Sequence, residues 1–377
     1  MKKIKILYTI PNFDTAGSGK VVYDLAKGLD REAFEVEIAC GNTKGTFFKT
    51  VEALGLPIHV FHTKTPYRPY LTLPYRIWRI SRFYKKHRID VVHSWQWSSD
   101  WTEALAARLA GIKWMYTKKA MGFTSRHWSI KSRLADFIVT INDEMRAYFP
   151  KKKAQALLPL GIDTRYYSPE QVSVHRKEHA SDFHIVMVAN LVPVKGVEVL
   201  LRAVEQLPSL NLRVSIVGKK DNAYGNAMET LAKQLGVAGR VQFLGKQPDV
   251  RPFIAAADLY VIPTLDEGRK EGMPMALVEA MSMGVPVLGS TISGITFVLK
   301  DFPHLLFEAG NAEALADKIS AIQALPEEER KALGASLRTY VQTHFTLERF
   351  IQAHEVLYQN LCGHDGKEPE NAKSANP

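Results

Sequence analysis

The feature that most constrains this chain is an alternation of short apolar runs with helix-length amphipathic segments, which breaks once and then restarts. Residues 4–10, 34–39, 58–61, 91–93, 115–117 and 137–140 read as strands with helical segments between them. That order predicts a parallel sheet with helices on both faces, because strands in one direction need crossovers. Around Leu160-Gly-Ile-Asp-Thr-Arg-Tyr-Tyr-Ser-Pro169 the pattern stops, and the charged stretch 170–182 reads as a linker. Strand patterns resume at 185–188, 214–217, 241–243, 259–262 and 285–288, and 312–325, 327–344 and 347–361 read as closing helices. The polar stretch 363–377 reads as a disordered tail. With 377 residues there is chain enough for two cores. Two such halves are expected to face a cleft lined by the carboxyl ends of their strands, where ligands bind in folds of this kind.

Charge is divided unevenly between the halves. Residues 1–175 hold 28 Lys/Arg against 15 Asp/Glu, or +13, while the remainder hold 21 against 24, or −3. From Ala53 to Ile89 there is no acid, yet Lys64, Arg68, Arg76, Arg79, Arg82, Lys85, Lys86 and Arg88 occur there, interleaved with Tyr67, Tyr70, Tyr75, Trp78, Phe83 and Tyr84. A basic surface with aromatic anchors suits anionic lipid, an acidic acceptor or nucleic acid. The two cysteines, Cys40 and Cys362, form no metal or redox spacing, which fits a reducing compartment. The opening Met-Lys-Lys-Ile-Lys-Ile-Leu-Tyr-Thr-Ile-Pro has too short an apolar run for a signal peptide and reads as a first strand. No run approaches the roughly 20 apolar residues that span a bilayer.

The richest segment for chemistry is Glu271-Gly-Met-Pro-Met-Ala-Leu-Val-Glu279-Ala-Met-Ser-Met-Gly284. Residues 273–283 read as a helix, with Pro274 in its first turn, where a missing N–H costs nothing, and Gly284 as its stop. The N–H groups and positive dipole end around Gly272, Met273, Pro274, Met275 and Ala276 favour an anion such as a phosphate. Glu279 has apolar neighbours, and an acid on a mostly buried helix needs a partner. One acid before the helix and one within it suit a ligand carrying hydroxyls at one end and phosphate at the other, as a nucleotide sugar does.

Other positions carry weaker signals. Gly17-Ser-Gly19-Lys20 opens a helix after the first strand and lets backbone N–H groups approach a phosphate, though it matches no standard phosphate loop and serves equally as a tight turn. Asn190 and Lys195 lie in the loop after the first strand of the second half, where a lysine can meet the charge on a diphosphate leaving group. His93 ends a strand and is a catalytic candidate if it faces the cleft, although a lone histidine is more often structural. Lys118 and Lys119 end the next strand and could hold an acidic acceptor, or form a solvated basic face. No His-x-x-x-His, cysteine cluster or convincing Asp-x-Asp marks a metal site.

At these residues the chain resembles family 4 of the retaining glycosyltransferases, which have the two-domain GT-B fold. The resemblance runs from about Lys3 to Leu361. Glu271-x7-Glu279 with Ala-Met-x-x-Gly-Val-Pro-Val is similar to the family's donor signature, and Pro159-Leu-Gly-Ile-Asp163 to its linker-proximal turn. Leu191-Val-Pro-Val-Lys195-Gly resembles its diphosphate loop, and Val217-Gly218, Val241-Gln-Phe-Leu-Gly245 and Ala257–Pro263 follow in the family's order. The resemblance implies GT-B architecture: an acceptor-binding domain over 1–168, a nucleotide-sugar domain over 181–343, a helix over 344–361 crossing back to the first domain, and a tail over 362–377. It implies that Glu279 bonds the nucleotide ribose, Glu271 contacts the donor sugar near the reacting carbon, and Lys195 binds the diphosphate. The donor phosphates would be cradled by backbone around Gly272 to Ala276 and by Gly17 and Gly19, with Asn190 and Gly245 also on the donor side.

Three positions depart from the family. Asn190 stands where many members have arginine. Lys119 lies near a usual histidine, with Trp95 in place of a second one after His93. Phe297 replaces a frequent glutamate. The expected protein is a cytoplasmic, metal-independent, retaining transferase without cofactor, using a nucleotide-diphosphate sugar and a glycan or lipid-linked acceptor. It would work peripherally at an anionic membrane face, with nucleic acid not expected as a partner. Two other readings remain: a nucleotide-sugar 2-epimerase of the same architecture, and a non-catalytic basic module.

Overall fold

The computed structural model describes residues 2–14, 16–122, 125–172, 182–267 and 272–363. Contacts divide the chain into two units, one of Met1–Gly161 with Leu347–Pro377 and one of Ile162–Thr346. In the first, strands β1 (Ile4–Ile10), β2 (Phe34–Cys40), β3 (Ile58–Val60), β4 (Val91–Ser94), β5 (Lys113–Lys118), β6 (Phe137–Thr140) and β7 (Gln155–Leu157) alternate with helices α1 (Ala16–Gly28), α2 (Thr46–Glu52), α3 (Leu73–Lys86), α4 (Thr102–Ala110) and α5 (Arg126–Leu134). The second holds β8 (Phe183–Val188), β9 (Leu212–Val217), β10 (Val241–Gly245), β11 (Leu259–Ile262), β12 (Val287–Ser290) and β13 (Leu306–Phe307). Its helices are α6 (Val197–Glu205), α7 (Ala223–Gln234), α8 (Arg251–Ala255), α9 (Met275–Ser282), α10 (Ser293–Val298), α11 (Ala312–Ala324) and α12 (Glu327–His344). The last helix, α13 (Leu347–Leu361), belongs to the first unit.

Among the described residues the sheets run in the orders β3-β2-β1-β4-β5-β6-β7 and β10-β9-β8-β11-β12-β13. Every pairing between these strands is parallel. The order reverses beside β1 in one sheet and beside β8 in the other, and such switch points are where doubly wound folds place ligands. The expectation of two Rossmann-like parallel-sheet domains is therefore met. The strands are near-continuous apolar runs because both faces are covered. Leu7, Val92, Trp114, Tyr116 and Ile138 are buried in the first unit, packed under Ile77, Ile80 and Tyr84 of α3 and Ala104, Ala106 and Ala107 of α4. Ile185, Val186, Val214, Ile216, Val261 and Leu288 fill the second, against Leu200 of α6 and Leu277 of α9.

Some elements differ from expectation. Helix α1 starts at Ala16 rather than Lys20, so Gly17 and Gly19 lie in its first turn instead of in a preceding loop. Neither has a positive φ, so the turn does not require glycine there for its backbone geometry. The short strands β7 and β13 carry too few residues for a period to register. The core of the expected linker, 173–181, and the tail from 364 lie outside the described residues.

Candidate functional site

In the second unit the loops at the carboxyl ends of β8, β9 and β11 meet. Pro193–Lys195 forms a single 3₁₀ turn that ends on Gly196, with φ 64°. A Cβ on Gly196 would stand 2.1 Å from the Pro263 carbonyl oxygen, so only glycine lets this loop lie against the end of β11. Leu265 N–H then donates to the Val194 carbonyl at 2.8 Å, fastening the two loops. Lys195 is thereby held, partly buried, just before α6. The start of α6 is itself organised: the Tyr224 hydroxyl accepts from Val197 N–H at 3.1 Å and donates to Glu198. Asn190 is exposed, and its Oδ1 accepts from Lys219 N–H at 3.3 Å. The backbone also joins these loops through Leu191 N–H to the Lys219 carbonyl at 2.9 Å. Gly245 closes β10 beside them, its carbonyl accepting from Gly218 N–H at 2.9 Å.

Helix α9 follows from its sequence. Pro274 precedes it in extended conformation, and Gly284, with φ 71°, lies just past its end. Leu277, Val278, Ala280 and Met281 are buried, and Glu279 is half-buried on the remaining side. Met275 and Ala276 occupy the first turn, where N–H groups precede the helical ladder. Gly272, Met273 and Pro274 are buried immediately before it. Glu271 lies outside the described residues.

Glu279 meets a partner that sequence reading did not find. Asp163 Oδ1 accepts from the N–H groups of Arg165 and Tyr166, both at 3.0 Å, and its carbonyl accepts from Tyr167 N–H at 2.9 Å. This turn delivers Tyr167 to α9. Its hydroxyl bonds Glu279, and burial followed by that carboxylate's charge holds the phenol far above its ordinary pKa. Ser282 Oγ on the same helix donates to the Tyr167 carbonyl at 2.7 Å. Alongside, Arg251 lies 3.6 Å over the Tyr166 ring, bonds the Tyr166 carbonyl at 3.1 Å and forks onto Asp249. The arrangement holds the Glu279 carboxylate in place through Tyr167. The doublet Tyr166-Tyr167, three residues beyond Asp163, was the available signal. Phe297, at the third departing position, is buried and tilts against Phe345.

In the first unit the structure corrects the reading of His93. It is fully buried, with Nδ1 2.7 Å from the Tyr358 hydroxyl and Nε2 2.8 Å from Thr117 Oγ1. Helix α13 causes this by laying Tyr358 and His354 over the strand end, His354 stacking on His93 at 5.5 Å. Burial, and then His354 and Lys119, push the His93 pKa well down. An enclosed imidazole bonded at both ring nitrogens supports the core, in place of the open strand end expected for a catalytic histidine. Lys118 is likewise buried, its ammonium 4.3 Å over the Trp128 ring and donating to the Ala120 carbonyl. Lys119 is only partly buried: it donates to Ser18 Oγ at 3.0 Å and to the Trp95 carbonyl at 2.6 Å, tying the Gly17–Gly19 turn of α1 to the end of β4.

Among the described residues one group brings together three side chains able to ligate a metal, Glu37, His59 and His87. Glu37 is already engaged, by Lys5 at 2.6 Å and by His59 at 2.7 Å. Burial pulls its pKa up, but these partners outweigh it and hold the carboxyl below its ordinary value.

The comparisons with known proteins agree with this architecture. Residues 15–166 match the family described as Glycosyltransferase Family 4, and residues 172–339 match Glycosyl transferases group 1. Among the described residues the two parallel-sheet domains have the GT-B fold. The chain belongs to the group 1, family 4 glycosyltransferases. It is 26% identical to the EpsD protein of Bacillus subtilis over 91% of this chain and 93% of that protein. It is 30% identical to N-acetyl-alpha-D-glucosaminyl L-malate synthase of Bacillus anthracis over 60% of this chain, a match spanning 58% of that enzyme's length. Among solved structures, a glycosyltransferase of Rickettsia africae superposes with a TM-score of 0.85 at 18% identity, over 97% of this chain and all of that one. HepE of Anabaena, solved with UDP and glucose, gives 0.76 at 19% identity, over 93% and 97%.

Proposed function

We propose that this chain is a retaining, metal-independent glycosyltransferase that moves a sugar from a nucleotide-diphosphate donor to a glycan or lipid-linked acceptor of cell-surface polysaccharide or glycolipid. The observation that carries the reading is Glu279, held by Tyr167 on α9, in the same unit as the Lys195–Gly196 loop. Glu279 bonds the ribose hydroxyls, Lys195 and the first-turn N–H groups of α9 take the diphosphate, and Glu271 contacts the sugar near its anomeric carbon. The glycosidic C–O bond to the diphosphate breaks as the acceptor hydroxyl attacks the same face, and the departing phosphate oxygen takes the acceptor's proton. Lys195 stabilises the charge that develops on the leaving group. HepE, of similar fold, is solved with UDP and glucose, and LpsE of Rhizobium meliloti, 33% identical over 38% of this chain, is named for lipopolysaccharide core biosynthesis.

The acceptor side of the proposal rests on α3. Tyr75, Trp78, Arg79, Arg82, Lys85 and Lys86 are exposed along it, Tyr75 and Trp78 stacked at 5.8 Å and Arg82 lying 5.4 Å over Trp78. Leu71, at 96% exposure, precedes it. No helix among the described residues is long and apolar enough to cross a membrane, and an amphipathic basic face of this kind binds the anionic interface. The central test is Glu279→Ala, which should abolish binding of UDP-, GDP- or ADP-sugars, whichever stabilises the parent chain; unchanged donor affinity would sink the assignment. Reversing charge at Arg79, Arg82, Lys85 and Lys86 should release the chain from phosphatidylglycerol liposomes.

A further inference from the structure

A cavity of about 880 Å³ opens in the first unit among the segment after β3, helix α3 and the loop after β4. Three cations line it, Lys64, Arg76 and Arg79, against one acid, Asp100, which leaves the lining two positive charges in excess when His62 is neutral. None of the three cations pairs with a carboxylate among the described residues. Arg76 is pinned by neutral oxygens instead: Thr65 Oγ1 at 2.8 Å, the Pro69 carbonyl at 2.7 Å and the Pro66 carbonyl. Its charge is therefore fixed in place yet uncompensated. Lys64 has only a 3.5 Å approach to Ser98 Oγ. Asp100 contributes its one negative charge to that count but ion-pairs with none of the three cations, its carboxylate accepting from Thr102 N–H at 2.9 Å and Thr102 Oγ1 at 2.6 Å. It also accepts from the Tyr67 hydroxyl; burial and then Asp100 push that phenol up to about 12.

The other wall is apolar and aromatic. Phe61 and Ile80 line it, and the Tyr67 ring stacks on Trp101 at 5.3 Å and on His127 at 5.0 Å. Arg79 sits on the rim, on the same exposed face of α3 as Tyr75, Trp78 and Arg82.

We propose that this cavity binds the phosphate or diphosphate of a lipid-borne acceptor, with Lys64 and Arg79 contacting the anion and Arg76 supplying fixed charge behind them. A soluble neutral glycan would leave that excess of two positive charges uncompensated. An anion of charge two matches the excess, and the apolar wall takes the first units of a lipid chain leading out along α3. This deepens the acceptor side of the function proposed above and rests on it.

The test is calorimetric titration of the full chain with farnesyl diphosphate, inorganic pyrophosphate and farnesol, in a Lys195→Ala background so that the donor side does not compete. Farnesyl diphosphate should bind tighter than pyrophosphate, and farnesol should not bind measurably. The Lys64→Ala/Arg79→Ala double variant should weaken both anions by more than about tenfold, as expected for losing charge-assisted hydrogen bonds. Lys64→Arg/Arg79→Lys should stay within about threefold of the parent, since charge is kept. Unchanged affinity in the double alanine variant would overturn the proposal. Equal affinity for the two anions would overturn its lipid part. With Lys195 restored, the double alanine variant should bind nucleotide sugar as the parent does. Loss of donor binding there would count against the acceptor assignment, while the donor reading stands or falls separately on Glu279→Ala.

Discussion

Tyr167 donates its hydroxyl to the Glu279 carboxylate, joining the turn that opens the second unit to the helix proposed to hold the nucleotide. The bond limits the rotamers that Glu279 must lose on binding a ligand hydroxyl. Tyr167→Phe should therefore weaken donor binding less than Glu279→Ala, by about three- to tenfold, the range of one typical net hydrogen bond. Affinity measured by thermal shift across a donor series would check this. Equal losses in the two variants would mean that Tyr167 shapes the helix rather than the carboxylate.

Much of the architecture was legible from local signals. The limits of α12 and α13 read directly from the sequence, whereas α9, expected over 273–283 with Pro274 in its first turn, runs Met275–Ser282 with Pro274 as its extended cap. What was not legible depends on distant partners. Nothing near Glu279 in sequence announces Tyr167. Likewise His93 reads as an open strand end only until Tyr358, contributed by the last helix, is placed over it. The Gly17–Gly19 segment misled for a different reason: glycine suggested a loop, but the first turn of a helix tolerates it at small cost.

Gly196 should be among the least replaceable residues of the second unit. Gly196→Ala forces an L side chain to φ 64° and drives its Cβ to 2.1 Å from the Pro263 carbonyl. The left-handed backbone alone costs about 1–2 kcal/mol, and the contact adds to it by parting the two loops. Urea unfolding should show the loss in midpoint. Donor affinity should fall with it, because Lys195 is carried by the displaced turn. A variant that unfolds at the parental midpoint would contradict the close approach.

Asn190 removes a cation that many relatives carry, and the structure sets Lys219 beside it, exposed, with its N–H on the asparagine side chain. Lys219→Ala should raise KM for the nucleotide sugar by about three- to tenfold with a smaller change in kcat, as for loss of one partly screened charge near a diphosphate. Asn190→Arg should restore the affinity in the Lys219→Ala chain. Steady-state kinetics on the double variant decides the matter, since failure of rescue would place Lys219 away from the phosphates.

The buried pair His93 and His354 makes the first unit sensitive to acid. Burial pushes the pKa of His354 down to about 4 and that of His93 well below its ordinary value. Depressed pKa values mean that the unfolded chain binds more protons, so the stabilisation is complete above the unfolded pKa of about 6.5 and is lost as pH falls toward the folded values. Between pH 7 and pH 5 protonation of His354 should cost about 2 kcal/mol of unfolding free energy, and His93 should act in the same direction. The groups facing the pair reinforce this: Tyr8 and Tyr358 are neutral phenols held above their usual range by burial, and Lys119 adds positive charge. Among the described residues no carboxylate hydrogen-bonds either ring to compensate a proton there. His354→Phe, which keeps the aromatic packing on Phe350 at 4.4 Å, should therefore flatten the dependence of the urea midpoint on pH. A variant as acid-sensitive as the parent would show that the protons are taken up elsewhere.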